Sequence, residues 1–318
     1  MTAQSGVGQQ TKDADMPPSP QATFLERANC INCESGRIAV LSRGKYSDQP
    51  LLGFINADPW GTNPVPYLEN AEWVFVQCAD CDQKFHQRIL SAEWNERRFS
   101  EWMSAEAILE FEKRLGNAAT RHFENGRELV AHALRIEKIT RSIRNKDEPV
   151  RVLDFGCGWG QFLAVCQRFG FDVAGVDRSE ARRGRSPVPI YAELDDVTGQ
   201  FHALTLFEVL EHLDNPAVTL RDLSRFLLPG GVLILETPDC SGVTFIHSLS
   251  DYHKIHPLEH INAFTHETLT SIAQRGGFRS IARGSAQVTA DLARVIRTEA
   301  KHILGRDGRS TQLYFVKE

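Results

Sequence analysis

From residue 150 onward, short apolar runs alternate with stretches whose apolar positions recur at helical spacing. The runs at 150–154, 172–177, 189–193, 202–207, 231–236, 278–284 and 311–316 predict strands. The intervening stretches 161–169, 217–226, 265–275 and 290–304 predict helices, the third led by Thr265 as N-cap with Glu267 beside it. Such alternation predicts a mostly parallel sheet with helices on both faces. The pattern upstream is different. Residues 91–115, interrupted near Ser100, and 125–143 predict helices, the second through Leu129, Ala133, Ile136 and Ile139. Gly116 and Gly126 punctuate them, and the polar run 144–149 ends in Pro149, which marks a boundary. Residues 72–77 predict a strand within 23–99, a segment dense in turn formers such as Asp58-Pro59, Asn63-Pro64 and Val65-Pro66. Residues 1–22 are polar and rich in Gln, Ser, Asp and Pro, which predicts a disordered tail. The expected organisation is a tail (1–22), a small module (23–99), a helical linker (100–148) and an α/β domain (149–318).

Composition narrows the function. The 318-residue chain carries a net charge of −5, so it lacks the basic footprint of a nucleic-acid binder. No apolar run is long enough to span a bilayer, and the first residues contain no apolar core of a secretory signal. The expected compartment is the cytoplasm. Seven cysteines in such a chain do not form a disulfide framework. Cys157, Cys166 and Cys240 fall in packed or turn contexts, where a free thiol behaves as a small hydrophobe. The other four form two matched pairs, Cys30-x-x-Cys33 and Cys78-x-x-Cys81. Each such turn presents two thiolates, and together they are expected to complete a tetrahedral zinc site with no open position, hence a structural one; the plainer alternative is a redox dithiol or simply buried cysteines.

The strongest chemical signal is Asp154-Phe155-Gly156-Cys157-Gly158-Trp159-Gly160, a buried strand entering a glycine turn and then a helix. Alternate glycines let the backbone approach a ligand, and the helix start offers unpaired N–H groups. The spacing is G-x-G-x-G rather than the G-x-G-x-x-G of dinucleotide folds, which points to S-adenosylmethionine (SAM). Asp154 closes the first strand and either orders the loop or meets the ammonium of SAM. Asp177 closes the second strand, where a carboxylate can accept both ribose hydroxyl hydrogens; the plainer alternative is a turn or cap residue. Leu194 and Asp195 follow the third strand, where Asp195 or Asp196 would meet the adenine amino group.

These residues resemble the class I SAM-dependent methyltransferases, together with Phe207-Glu208-Val209-Leu210-Glu211-His212-Leu213 and Leu228-Pro229-Gly230-Gly231. The resemblance covers residues from about 150 to the C-terminus. It implies a Rossmann-like α/β sheet of seven strands, the last antiparallel, with SAM across the carboxyl ends of the first two. It assigns Asp154, Gly156, Cys157, Gly158, Gly160, Asp177, Arg178, Leu194, Asp195, Phe207, Glu208 and His212 to the cofactor pocket. His202 stands where many members have an aspartate before the fourth strand. A zinc-ribbon-like two-CxxC module before this fold is similar to bacterial sugar C-methyltransferases and to related glycan and small-metabolite enzymes, although the usual glycine after the second cysteine pair is missing. In those enzymes a Glu-His pair resembles Glu259-His260, and an aromatic hydroxyl stands two positions before the glutamate, where this chain has Pro257.

The stretch 251–265 holds His253, His256 and His260. Histidine near neutral pKa can take a proton from a hydroxyl or an activated carbon. His260 is either such a base, with Glu259 orienting it, or a residue that orients the loop; His253 and His256 are expected to be surface or loop residues. The leading reading is a methyltransferase acting on a small-molecule or carbohydrate-derived acceptor by O- or C-methylation. The alternatives are an RNA methyltransferase whose zinc module holds the substrate, and a non-catalytic interaction protein of the same fold.

Overall fold

The computed structural model describes residues 20–104, 106–107, 110, 118–145, 147–283, 286, 288–289, 291–303 and 311–318. Most of the expected tail lies outside the described residues, as do 111–117, 146, 284, 290 and 304, which end or flank expected elements.

The N-terminal part runs through β1 (Phe24–Glu26), β2 (Ile38–Lys45), α1 (Leu51–Ala57), β3 (Glu72–Cys78), β4 (Lys84–His86), β5 (Arg88–Leu90) and α2 (Ala92–Arg97). A wide helical turn, Arg98–Trp102, follows α2, so the break expected near Ser100 falls within it. The long helix α3 (Ala118–Thr140) leads to β6 (Arg151–Phe155), α4 (Gln161–Arg168), β7 (Asp172–Val176), α5 (Glu180–Arg183) and β8 (Ile190–Tyr191). Then come β9 (Phe201–Phe207), α6 (Pro216–Ser224), β10 (Leu227–Glu236), α7 (Leu249–Lys254), β11 (Asn262–Ala263), α8 (His266–Arg275), β12 (Phe278–Ile281), α9 (Leu292–Ile303) and β13 (Gln312–Lys317).

The large sheet has the order β12-β13-β10-β9-β6-β7-β8. Strand β13 is antiparallel to β10 and β12, while β10, β9, β6, β7 and β8 pair in parallel. This is the class I methyltransferase fold. Its central strands read as continuous apolar runs because both faces are covered. Leu153, Leu204 and Leu233 point to one face with Leu269, Ile272 and Phe315. Their neighbours Val152, Ala203 and Val232 point to the other, with Ala133, Ile136, Phe162 and Leu163. Helix α8 starts as expected at Thr265, but its reciprocal cap uses Thr268 rather than Glu267.

Several boundaries differ from expectation. The helix expected at 125–143 is α3, Ala118–Thr140, and runs through Gly126 instead of being punctuated by it. The third strand is only Ile190–Tyr191, because the chain folds into a 3-10 turn at Leu194–Asp196. The fifth begins at Leu227, upstream of Gly230-Gly231, and a register shift before Val232 absorbs the glycines, with Gly230 at φ 74°.

The second sheet, β11-β4-β3-β2, is antiparallel throughout. Its edge strand β11 comes from the C-terminal half, pairing Asn262 with Phe85 and Ala263 with Lys84. The two parts also share one core: Trp73, Trp94 and Trp102 pack in the same cluster as Ile246, Tyr252, Ile255 and Leu258. Arg27 donates to the carbonyls of His86 (3.0 Å) and Ile261 (2.6 Å) and to Asn262 Oδ1 (2.8 Å). The segment after β10 is therefore built into the N-terminal sheet.

Candidate active site at the carboxyl ends of the strands

The loop after β6 takes three left-handed glycines, Gly156, Gly158 and Gly160, at φ 75°, 57° and 72°. A Cβ on Gly156 would lie 2.5 Å from Val209 Cγ2, and one on Gly160 would lie 2.8 Å from Val188 Cγ2. Those two glycines are demanded by packing. Gly158 is different: nothing lies within 4 Å of the place its Cβ would occupy. Its open face is where a ligand can meet the backbone. Gly160 caps α4 without a side-chain hydrogen bond, leaving first-turn N–H groups for an anionic or polar ligand. Cys157 hydrogen-bonds Val176 O through its N–H at 3.1 Å, and its sulfur occupies the space a Cβ on Gly175 would need.

Asp177 ties this loop to β7. One carboxylate oxygen accepts from Gly158 N–H and the other from Ser179 N–H, both at 2.9 Å, and Arg182 stands 3.7 Å away. Asp154 is only 3 % exposed and sits within the sheet, accepting from Thr205 Oγ1 at 2.6 Å. Burial pushes its carboxyl up to about 7, against the Thr205 hydrogen bond and helped by Asp177. Leu194 packs half-buried against the core. Two of the residues assigned to the pocket turn elsewhere. Asp195, 91 % exposed at its side chain, pairs with Arg225 at 3.0 Å. Arg178 is exposed, and its carbonyl accepts from Arg183.

At the end of β9, Phe207 packs tilted against His132 and edge to face with Phe162, with ring centroids 4.6 and 5.2 Å away. Glu208 adopts φ 55°, a left-handed conformation unusual for glutamate, and its N–H donates to Glu236 O at 2.9 Å. Burial and the neighbouring Glu236 push its carboxyl up to about 7. Glu211 is 1 % exposed, and neither of its carboxylate oxygens has a hydrogen-bond partner among the described residues. Burial first, then Glu208, holds its carboxyl well above the usual range. Next to it, His212 Nδ1 bonds Glu259 O at 2.9 Å. The His212 and His260 rings meet edge to face at 4.8 Å, and His260 Nδ1 is enclosed without a partner among the described residues. Burial pushes both imidazoles down to about 3, helped by His260 for the first and His256 for the second, so both are neutral at neutral pH.

The structure corrects two expectations here. The Glu259 carboxylate does not orient His260: it pairs at 3.3 Å with Arg98, a buried guanidinium delivered by the turn after α2. His256 is not a surface residue: it is 5 % exposed, with Nε2 2.7 Å from Tyr252 Oη and 3.2 Å from Asp58, while Tyr252 Oη also donates to Asp58. His253 is exposed, as expected. An aromatic hydroxyl is thus present near the loop although Pro257 replaces one in sequence. Arg98, Asp58, Tyr252, Glu211 and Asn262 went unassigned from sequence. For Arg98 and Asp58 no local spacing signals the contact, whereas Glu211 could have been flagged by its adjacency to His212.

The four paired cysteines converge as expected. All four Sγ atoms lie within 4.8 Å of one another, with Cys30–Cys81 and Cys33–Cys78 at 3.5 Å. Zn–S bonds of about 2.3 Å place tetrahedral sulfurs about 3.8 Å apart, so this donor set fits the ion. The two half-sites match in detail. Asn32 N–H points at Cys30 Sγ and Asp80 N–H at Cys78 Sγ, each at 3.4 Å. Glu34 and Asp82, the residues after each pair, take left-handed φ of 65° and 59°, the second in place of the missing glycine.

Residues 123–282 match the methyltransferase domain family, and the chain belongs to it. A ubiquinone biosynthesis O-methyltransferase of Caulobacter sp. (strain K31) is 32 % identical over 108 residues, covering 30 % of this chain and 43 % of that protein. One of Pseudomonas aeruginosa (strain UCBPP-PA14) is 33 % identical over 101 residues, covering 27 % and 44 %. The chain thus spans under half the length of these relatives. Among solved structures, SAM-bound CalS10, an amino pentose methyltransferase from Micromonospora echinaspora, is 29 % identical over 35 % of this chain and 50 % of its own, with a TM-score of 0.30. A SAM-dependent methyltransferase from Archaeoglobus fulgidus is 22 % identical over 66 % and 97 %, with a TM-score of 0.39.

Two outcomes follow from the loop geometry. Gly156→Ala meets both the Val209 clash and the left-handed backbone, so urea unfolding should show a loss of about 3 kcal/mol or more. Gly158→Ala meets the backbone term alone and should lose only about 1 kcal/mol. For Asp154 the folded carboxyl, near 7, lies above its unfolded value of about 3.9, so its burial destabilises the fold increasingly as pH rises between them. Asp154→Asn should therefore stabilise the protein by about 1–3 kcal/mol more at pH 8 than at pH 4, read from urea midpoints at both.

Proposed function

We propose that this chain is a SAM-dependent methyltransferase that methylates a small-molecule or carbohydrate-derived acceptor at oxygen or carbon. The observation that carries the reading is the open face of Gly158, on a loop pinned to Asp177 at the carboxyl ends of β6 and β7 in a methyltransferase-family chain. The names of the curated relatives support O-methylation of a small molecule. The net charge of −5 gives no support to an RNA acceptor.

When bound, SAM supplies an electrophilic methyl group on a positively charged sulfur. The residues of this chain align, desolvate and manage one proton. Gly156, Gly158 and Gly160, with Cys157, let the backbone lie beneath the amino-acid portion. Asp177 keeps lone pairs for the ribose hydroxyls while it holds the loop. Leu194 would stand beside the adenine, and Phe207, Glu208 and His212 would line the rest of the pocket. His260, neutral and half-buried, is assigned to the proton of the acceptor. Arg98 sets the place of Glu259, and through its carbonyl that of His212.

The four thiolates of Cys30, Cys33, Cys78 and Cys81 hold one structural zinc ion, so 23–99 acts as a zinc module ahead of the 100–148 linker and the 149–318 transferase domain. Among the described residues no helix is long and apolar enough to cross a membrane; reduced thiolate ligands suit the cytoplasm.

Calorimetry should detect S-adenosylhomocysteine (SAH) binding to the full chain, and Asp177→Ala should weaken it at least about tenfold (about 1.4 kcal/mol). Absence of heat with both SAM and SAH would overturn the reading. Elemental analysis of protein prepared without chelators should find one firmly held zinc per chain. Strong chelation should remove it with loss of tryptophan burial, and Cys33→Ser plus Cys78→Ser should abolish its retention.

A further inference from the structure

We propose that Glu211, His212 and His260 form a second metal site, separate from the cysteine cluster, for a borderline divalent transition-metal ion such as Mn²⁺, Co²⁺ or Zn²⁺. The proposal rests on the methyl-transfer reading for its chemistry but not for its geometry.

The donor atoms of the three residues all lie within 4.8 Å of one another. Glu211 is 1 % exposed, yet both carboxylate oxygens lack a hydrogen-bond partner among the described residues. Its interaction is with another carboxyl group, that of Glu208, and a buried carboxylate with no cationic partner among the described residues asks for a cation or a ligand. His260 Nδ1 is likewise enclosed and unpartnered. A single general base would need one free lone pair; here lone pairs from three residues converge. His212 also has the support typical of a metal-bound imidazole. Its Nδ1 is engaged with the Glu259 carbonyl at 2.9 Å, which fixes the ring as the Nδ1–H tautomer and leaves Nε2 as a donor. Arg98 pairs with the Glu259 side chain, and Asn262 Nδ2 donates to Leu210 O (3.0 Å) and Leu213 O (2.6 Å), so both sides of the cluster are braced.

Two imidazoles and one carboxylate favour a borderline transition metal over Mg²⁺ or Ca²⁺, which prefer all-oxygen sites. Both histidines are half-exposed, which leaves an approach and open positions for an exogenous oxygen. The chemistry refines the role of His260. Its lone pair holds the ion, and an acceptor hydroxyl bound to that ion releases its proton to solvent at lower pH. The alkoxide oxygen then forms the O–CH₃ bond as the S–CH₃ bond breaks and its electron pair returns to sulfur, leaving SAH.

The test uses the full chain, loaded with Co²⁺ and followed by absorption, with metal content measured in parallel. A first equivalent should give the intense thiolate charge-transfer bands of the cysteine site. A second should give only the weak ligand-field bands of a nitrogen–oxygen site. Glu211→Gln and His260→Ala should each weaken the second equivalent at least tenfold and leave the first unchanged. Saturation at one equivalent, or a second equivalent indifferent to both substitutions, overturns the proposal. If either variant is poorly folded by circular dichroism, paramagnetic broadening of the His212 and His260 ring resonances by Mn²⁺ in the wild type decides; no broadening counts against the site. SAH calorimetry on the same wild-type samples separates the two claims, because a failure of cofactor binding leaves the metal stoichiometry to stand or fall alone.

Discussion

The architecture depends on a two-residue rung. Asn262 and Ala263 hydrogen-bond to β4, and Arg27 clamps the junction from the opposite side through three carbonyl or amide oxygens. Without that pairing, the segment between β10 and α8 would be a long surface loop with few constraints. With it, the chain that carries His256, Glu259 and His260 becomes the floor of one module and the roof of the other. Half-buried Arg27 and buried Arg98 both reach this segment from the N-terminal side, so the position of the loop histidines is set by residues more than a hundred positions away.

This interlocking also explains how the cysteine cluster bears on chemistry at a distance. The Cys78–Cys81 turn connects β3 to β4, and β4 carries the rung. Asn32, inside the first cysteine turn, bonds Ser271 on α8 at 3.1 Å, and Glu34 pairs with Arg275 at 3.0 Å. The cluster is therefore fastened to β11 and α8, at the C-terminal end of the connection that follows β10.

The seven strands were legible because strands buried on both faces must be apolar almost throughout, and the helices between them keep a single apolar stripe; their order in the sheet was not. The glycine loop was legible for the same local reason, since left-handed backbone selects glycine. What escaped was non-local. Strand β11 is too short to carry a period, and only its partner makes it a strand. Glu259 and His260 are sequence neighbours, but the turn sends one carboxylate to Arg98 and leaves the imidazole beside His212. His256 became a core residue through Asp58, which no spacing rule connects to it. Asp195 was placed by analogy of position alone, and the 3-10 turn at Leu194–Asp196 presents it to solvent instead.

The rung at β11 has one more consequence. Strand β4 would otherwise be the open margin of its sheet, with a row of backbone donors and acceptors beside buried Phe85. Asn262 and Ala263 occupy that margin, so the chain covers the edge at β4 with its own later segment and leaves β2 as the other edge of the sheet.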